Sequence, residues 1–294
     1  MIHVVDANIG ASKPLPIDDP IEVSFDRYLN PLTISRQSIA LRDAFNQAPV
    51  NPTVSYDPVR RVVLLANPSE GQPWLIAGQP YKVIISAPTA DNDLSLRAID
   101  GAGLQATVTI GFFAAAPHGH VKDPTMSYCR DIQPILTACS GCHDSRNVSG
   151  GATWAGLVLD RPDGIEATAK GRVAQATNTG SRSVGGSPGA TFGVDMPIID
   201  SGSPGNSFLM YKLILGGRGT SGTHECTPAV VPTWDLTTSA RDDAEAARLA
   251  ELIPGRPMPY GESNPGLSDA DLDRLRLWIA QGAPTETCTT SCSP

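Results

Sequence analysis

The sequence is poor in aromatic residues, in charged residues and in long apolar runs. Aromatic residues make up 5% and charged residues 18% of the 294 positions, whereas glycine and proline occur 28 and 26 times. This composition is typical of a turn-rich chain and excludes a coiled coil or a long helical bundle. The longest apolar candidate is residues 108–117. It is well short of the roughly 20 residues that a membrane-spanning helix needs, so we expect no transmembrane segment.

The sequence also lacks an excess of basic residues. Lysine and arginine number 22 against 30 for aspartate and glutamate, giving a formal net charge of −8. We therefore expect no nucleic-acid partner and no general attraction to anionic lipid, and a charged partner would present a basic patch. Residues 1–10 contain Asp6 and lack the basic and apolar regions of a signal peptide. We expect no signal peptide in this chain, and earlier removal of a leader or a lipid anchor stays open.

Residues 21–113 carry a period-two pattern, within a first domain predicted over residues 1–113. Ile21, Val23 and Phe25 alternate with polar residues, and similar runs recur up to residue 113 with Asn, Asp, Pro and Gly between them. Several short alternating runs predict an antiparallel β-sandwich. The succession VSFDRYLNPLTISRQSIAL, VSYDPVRRVVLLANPSE and LIAGQPYKVIISA resembles the bacterial Ig-like domains of cell-envelope proteins. That resemblance implies an Ig-like sandwich and no catalytic residue.

The pattern changes after residue 113. Residues 114–126 are rich in Pro, His and Gly and are predicted to be a linker, with His118 and His120 solvated. Helical stretches are expected after Asp131, over 163–176 and over 204–215, and a last helix is expected to begin after the N-cap Ser268. We therefore expect a second, mainly helical domain over residues 127–287 and a C-terminal tail over 288–294.

Residues 139–143 read Cys-Ser-Gly-Cys-His. This C-x-x-C-H sequence is the attachment signature of a c-type haem. Two thiols at this spacing reach the two vinyl groups on one porphyrin edge, and the adjacent imidazole lies under the iron. Zinc binding, a redox dithiol and a structural disulfide remain alternatives for the five residues taken alone.

Residues 127–284 resemble a class I type cytochrome c domain of the envelope kind. The resemblance depends on RDIQPILTACSGCH, PGNSFLMYKLI, MPYG and LSDADLDRLRLWIAQGAP, which occur in the family's order. It implies a mainly α fold around one covalent haem c, with Cys139 and Cys142 as thioethers and His143 as the proximal axial ligand of the iron.

The distal axial ligand implied by the resemblance is a methionine sulfur. Met258 follows the middle helix and precedes Ser268, in the family's order, so it is the first choice. Met196 lies in another loop and is also followed by proline. Because the interval from His143 to Met258 is longer than in small family members, Met196 stays the second choice.

Four further cysteines are candidates for two disulfides: Cys129, Cys226, Cys288 and Cys292. Three pairings are possible. In one of them Cys288 and Cys292 close a small loop in the tail and Cys129 joins Cys226. Such bridges indicate an oxidising compartment.

Together these features predict a single-haem electron carrier, not an enzyme, in the periplasm or elsewhere outside the cytoplasm. Its partners would be redox proteins, with the first domain as a spacer or docking module, and docking to a membrane or envelope complex is open. Three alternatives remain: a haem enzyme or gas- or peroxide-binding protein with an open distal position, a structural envelope protein within a larger redox complex, and a subunit of an oxidoreductase complex.

Overall fold

The computed structural model describes residues 1–69, 72–90, 93–137, 139–145, 156–174, 192–193, 195–216, 219, 227–231, 243–259 and 266–288. The chain divides into two compact units, Met1–Lys122 and Asp123–Pro294. The division falls within residues 114–126.

The described residues of the first unit form nine strands and one 3-10 helix, Pro31–Thr33. The strands are β1 (Val4–Ala7), β2 (Leu15–Pro16), β3 (Ile21–Phe25), β4 (Ile39–Asp43), β5 (Pro49–Val50), β6 (Thr53–Asp57), β7 (Val62–Ala66), β8 (Pro80–Ile85) and β9 (Val108–Ala115). One sheet has the order β1-β3-β7-β6 and the other has the order β2-β9-β8-β4-β5. All pairings are antiparallel except the pairing of β2 with β9.

Side-chain alternation explains how the two sheets are held together. Along β3, Ile21, Val23 and Phe25 are buried while the two residues between them are only half-buried. Strand β8 repeats the pattern, and the buried residues of both sheets form one hydrophobic cluster. The inward faces of the sheets therefore share a single core. The strands predicted at 21–25 and 81–85 are confirmed.

The second unit contains short helices separated by turns and loops. A π-helical turn, Tyr128–Ile132, leads into α1 (Gln133–Thr137). The remaining α-helices are α2 (Pro162–Thr168), α3 (Phe208–Ile214), α4 (Asp243–Leu252) and α5 (Asp269–Ala280). None of the helices in the described part of the chain combines the length and hydropathy that a bilayer-spanning segment needs.

The predicted fold class, an all-β Ig-like sandwich followed by a mainly α cytochrome domain, is wrong. The protein is a mixed α/β fold with two sheets, and its helices are few and short. The helix predicted over 163–176 illustrates the physical reason. It ends at Thr168, Gly171 adopts a φ of +63°, and Val173 forms a β-bridge with Pro197. Residues after Thr168 therefore pair with a distant segment and do not form the two further helical turns that were predicted.

The last helix, α5, follows its sequence signals closely. The Ser268 hydroxyl accepts the backbone N–H of Asp271, so Ser268 is the predicted N-cap. Trp278 is fully buried, its indole N–H donates to the Pro284 carbonyl, and its ring lies 6.3 Å from the ring of Tyr128. Helix α5 therefore packs against the turn that precedes α1.

Candidate functional site

The candidate site begins at the turn that precedes α1. The N-cap of this turn is Ser127, whose hydroxyl accepts the Arg130 N–H, and not Asp131 as predicted. The Asp131 carboxylate instead accepts N–H groups from Ser127, at 2.8 Å, and from Ala229, at 2.7 Å, and pairs with Arg130. Burial acts to raise the pKa of Asp131, but these hydrogen bonds hold it below its usual value. An ionised, buried carboxylate thus fixes the start of the helix that leads to Cys139.

A disulfide fixes the same turn to the C-terminal segment. Cys129 is bonded to Cys288, with their Cα atoms 5.6 Å apart. The pairing of Cys288 with Cys292 and of Cys129 with Cys226 is therefore wrong, and Cys226 and Cys292 lie outside the described residues. The reason is the path of the chain after α5. Glu286 accepts hydrogen bonds from the Ser127 hydroxyl and from the Cys129 N–H, and this brings Cys288 to Cys129.

Cys139, Cys142 and His143 lie within one backbone turn directly after α1. The Cys139 carbonyl accepts the N–H of Cys142 at 3.2 Å and the N–H of His143 at 2.9 Å. These two bonds close a single turn of backbone over residues 139–143. The three residues that the sequence singled out are thus brought together by local hydrogen bonds.

The next residues fix the far side of this turn. The His143 carbonyl accepts the N–H of Leu159 at 2.9 Å, and the Nδ1 atom of His143 is buried. Ser145 donates its N–H and its hydroxyl to the Asp160 carboxylate. The backbone on both sides of the imidazole is therefore held in place.

The two motif thiols are free in the structure, with Cys139 half-buried and Cys142 exposed. Burial, with a smaller effect of Cys142, raises the pKa of the Cys139 thiol to about 11. Reactive C-x-x-C dithiols have depressed thiol pKa values, so this environment is unlike theirs. The Cys139 sulfur is a protonated thiol at neutral pH.

Zinc sites need thiolate and imidazole atoms that converge on one point. Among the described residues, one group of at least three potential metal ligands has its ligand atoms within 4.8 Å of one another, and it consists of Asp18, Asp19 and His118. Cys139, Cys142 and His143 do not form such a group. The turn therefore presents no preformed zinc tetrahedron.

Helix α3 holds the loop that carries Met258. The Lys212 carbonyl accepts the Met258 N–H at 3.0 Å, and the Lys212 Nζ donates to the Pro254 carbonyl at 3.1 Å. A Cβ at Gly216 would lie 2.0 Å from the Met258 carbonyl oxygen. The loop thus lies directly on the end of α3, and the half-buried Met258 is tied to it through the backbone.

Met196 has a different environment. It is buried, its N–H donates to the Gly193 carbonyl at 2.8 Å, and its carbonyl accepts the Ala174 N–H at 2.9 Å. The side chain packs on Gly193, where a Cβ would lie 2.7 Å from the methionine methyl group. The two candidate distal ligands therefore lie on separate, individually anchored loops.

Sequence reasoning missed several residues that position the site. Glu286, Lys212 and Gly216 act through contacts with residues far away in the sequence. No local pattern around them could have indicated these contacts. Asp131 was noticed as a helix cap, but its contact with residue 229 was not foreseeable.

Comparison with known proteins returned no matching family model and no matching curated protein. Among solved structures, the chain is similar to domains 1–6 of surface layer protein SbsC, at 14% identity and a TM-score of 0.29, over 43% of this chain and 15% of that chain. It is also similar to the N-terminal part of the bacterial S-layer protein SbsC, at 15% identity and a TM-score of 0.28, over 43% and 26% of the two chains. The chain covers far less than two thirds of these proteins, and similarity at this level carries no argument about function.

The assignment of residues 127–284 to the class I type cytochromes c, preceded by a bacterial Ig-like domain, is wrong. No cytochrome family model matches the chain, and its helices are few and short in a mixed α/β fold. The four segments behind that assignment are short, and short amphipathic helices with a proline-containing loop recur in many folds. The Cys139–His143 sequence itself does not depend on that family assignment.

Proposed function

We propose that the second unit binds one haem c covalently through Cys139 and Cys142, and that the protein transfers single electrons between redox partners. The observation that supports the proposal is the C-x-x-C-H sequence, whose five residues lie in one hydrogen-bonded backbone turn with both thiols free. The proposal stands on these residues and not on membership of a cytochrome family.

The donor set fits the group chemically. Each thiol would add across one vinyl double bond of the haem: a sulfur–carbon bond would form, the thiol hydrogen would go to the neighbouring vinyl carbon, and no oxidant or reductant would be consumed. A haem so bound supplies a one-electron iron couple.

The chain's own residues then have defined tasks. His143 would be the proximal ligand of the iron, and its backbone is held by the Leu159 N–H, which donates to the His143 carbonyl. Met258 is the proposed distal ligand, with Met196 as the second choice, because a thioether sulfur is a neutral donor that favours reduced iron. Two protein ligands would leave the iron no open position, an arrangement suited to electron transfer.

Location and partners follow from the same chemistry. The disulfide between Cys129 and Cys288 favours an oxidising compartment, so we place the protein outside the cytoplasm, in the periplasm or at the cell envelope. The formal charge of −8 favours redox partners with a basic docking surface. In this proposal the first unit is a spacer or docking module.

The proposal predicts that haem binding is covalent and depends on both motif cysteines. Expressed with haem-maturation machinery, the full chain should retain its colour through acid–acetone extraction. The Cys139→Ala/Cys142→Ala double variant should lose the haem on extraction. Ser140→Ala is the matched control, since it changes a spacer position of the motif and should retain the haem. Extraction of haem from the unmodified chain would overturn the proposal.

A further inference from the structure

A second cluster of ligand-type side chains lies in the first unit, where two segments leave one sheet side by side. Strand β2 pairs in parallel with the end of β9, with Leu15 opposite Ala114, and the Ile17 N–H donates to the Ala115 carbonyl at 3.2 Å. Because parallel strands end at the same edge, the residues after each strand meet there. These residues include Asp18 and Asp19 after β2, and His118 and His120 after β9.

Asp18 organises the backbone of the second segment. Its carboxylate accepts the N–H groups of His118, at 3.1 Å, of Gly119, at 2.7 Å, and of His120, at 2.9 Å. Desolvation acts to raise the pKa of Asp18, but these backbone hydrogen bonds lower it to about 2. Gly119 has a φ of +84°, which lets the chain curl around the carboxylate. Asp18 is thus committed to holding the loop.

The Asp19 carboxylate faces both imidazoles. Its Oδ2 lies 2.9 Å from Nε2 of His118, and its Oδ1 lies 2.7 Å from Nδ1 of His120. The exposed fractions of the His118 and His120 side chains are 54% and 41%, so solvent reaches both rings. The Asp19 carboxylate therefore lies between two accessible imidazoles, one at each of its oxygens. Of the two histidines, His118 has its ligand atom within 4.8 Å of those of both Asp18 and Asp19.

This donor set matches a particular class of ion. Imidazole nitrogen combined with carboxylate oxygen suits Zn²⁺, Ni²⁺ and Cu²⁺ better than Mg²⁺ or Ca²⁺. Ligand atoms around a tetrahedral Zn²⁺ are about 3.4 Å apart, given metal–ligand distances of roughly 2.0–2.1 Å. The observed separations of 2.9 and 2.7 Å are shorter than this value, and each imidazole contacts a different oxygen of Asp19. The rings must therefore rotate about the carboxylate before both nitrogens can bind one ion.

We propose that Asp19, His118 and His120 bind a divalent transition-metal ion of the Zn²⁺ type, with Asp18 as the positioning residue. The proposal does not depend on the haem. It replaces the sequence-based expectation that both histidines are merely solvated.

The chain offers a matched control. His3 contacts the Asp26 carboxylate through Nδ1 at 2.7 Å, close to the His120 distance, but the contacts of Asp26 join it to one imidazole only. A histidine–carboxylate pair with one imidazole is a weaker ligand set than a pair of imidazoles with a carboxylate. His3→Ala therefore removes a surface histidine without altering the proposed site.

The test is Zn²⁺ titration of the full chain against a chromophoric chelator. The thiols of Cys139 and Cys142 must be joined to haem or blocked with N-ethylmaleimide, because free thiolates also bind zinc. We expect one Zn²⁺ per chain, at least tenfold weaker binding in His118→Ala and in His120→Ala, and unchanged binding in His3→Ala. Asp19→Asn, which keeps the side-chain shape, should weaken binding as well.

Two results would overturn the proposal: binding no tighter than millimolar in the unmodified chain, or affinity equally changed in His3→Ala and in the two loop variants. Circular dichroism of each variant shows whether the sheets are retained. Cu²⁺ used as a spectroscopic probe gives a second readout, since nitrogen hyperfine structure from two imidazoles is expected in its electron paramagnetic resonance spectrum. A signal without nitrogen coupling would also contradict the site.

Discussion

Asp131 illustrates how one buried carboxylate can organise a site through its charge. It is fully buried, and its two oxygens join the turn before α1 to the segment at Ala229. Because its hydrogen bonds are charge-assisted, they are stronger than bonds to a neutral side chain.

We therefore predict that Asp131→Asn lowers the free energy of unfolding at pH 7 by about 1–3 kcal/mol. Because the folded-state pKa of Asp131 is depressed, its contribution is present above the unfolded value of 3.8 and is lost as the pH falls below it. The difference between the chain and its variant should therefore shrink below pH 4, as measured by urea denaturation across pH.

Asp163→Asn serves as the control for the same chemical change. The Asp163 side chain is 71% exposed, and among the described residues it pairs with Arg161 at 3.3 Å. Surface pairs of this kind contribute little, so no measurable loss of stability is expected. An equal loss in both variants would contradict the role assigned to Asp131.

At the residue scale, the sequence was most informative where function depends on consecutive residues. Cys139, Cys142 and His143 are recognisable because the spacing of these residues alone indicates haem attachment. Ser268 is recognisable as an N-cap because a cap bonds to a residue within its own helical turn. The disulfide partner of Cys129 was not predictable from the sequence. It depends on the hydrogen bond between the Ser127 hydroxyl and the Glu286 carboxylate, which are 159 residues apart. The sequence around His118 and His120 did not indicate a metal site either. Both imidazoles contact the Asp19 carboxylate, which follows a strand far away in the sequence.

At the scale of elements, helix α3 and the loop that carries Met258 are packed tightly together. Gly216 lies where the loop backbone comes closest, and a Cβ there would meet the carbonyl of Met258. Backbone cannot move aside as a flexible side-chain end can, so an added methyl group must displace the loop.

Gly216→Ala should therefore destabilise the second unit by about 1–3 kcal/mol. It should also weaken the iron–sulfur bond if Met258 is the distal ligand. Gly141→Ala is the control, since an added methyl there meets nothing within 4 Å. Thermal unfolding that leaves both variants equally stable would exclude the close packing of the loop on α3.

The two candidate distal ligands can be distinguished by a pair of conservative variants. Met258→Leu should abolish the sulfur-to-iron charge-transfer band of the oxidised protein and lower the reduction potential, because it removes the thioether donor. Met196→Leu should leave both unchanged. The reverse result would assign the ligand to Met196.

If neither variant changes the spectrum, the distal position is not filled by these methionines. Carbon monoxide binding to the reduced, native protein would then indicate an open iron site. A ligand-binding or catalytic function would replace the electron-carrier proposal.

Element prediction succeeded where the pattern was long and failed where tertiary pairing intervened. In β3 and β8, the alternation of apolar and polar residues in the sequence matches the alternation of buried and half-buried residues in the structure. The stretch after Asp163 looks helical, yet Lys170 and Val173 form bridges to residues 199 and 197. Such bridges depend on a partner that no local window contains.

For the whole molecule, the distribution of cysteines separates the two units. All six cysteines lie after residue 122, so the first unit has none. The Cys129–Cys288 bond closes a loop of 159 residues within the second unit and restricts its unfolded state.

Cys129→Ser/Cys288→Ser should therefore destabilise the second unit by about 2–5 kcal/mol and leave the first unit unchanged. Differential scanning calorimetry should show one transition moving to lower temperature while the other stays. The shifted transition is assigned by its loss in a chain truncated after residue 122. A common shift of both transitions would contradict independent unfolding of the two units.

The most direct measurement of the central claim is the mass of a single peptide. Trypsin cleavage after Arg130 and Arg146 releases residues 131–146, which contain Cys139, Cys142 and His143. From protein matured with haem, we predict that this peptide carries one porphyrin joined by two thioether bonds. Recovery of the same peptide with both thiols free, or with the two sulfurs bonded to each other, would contradict the account.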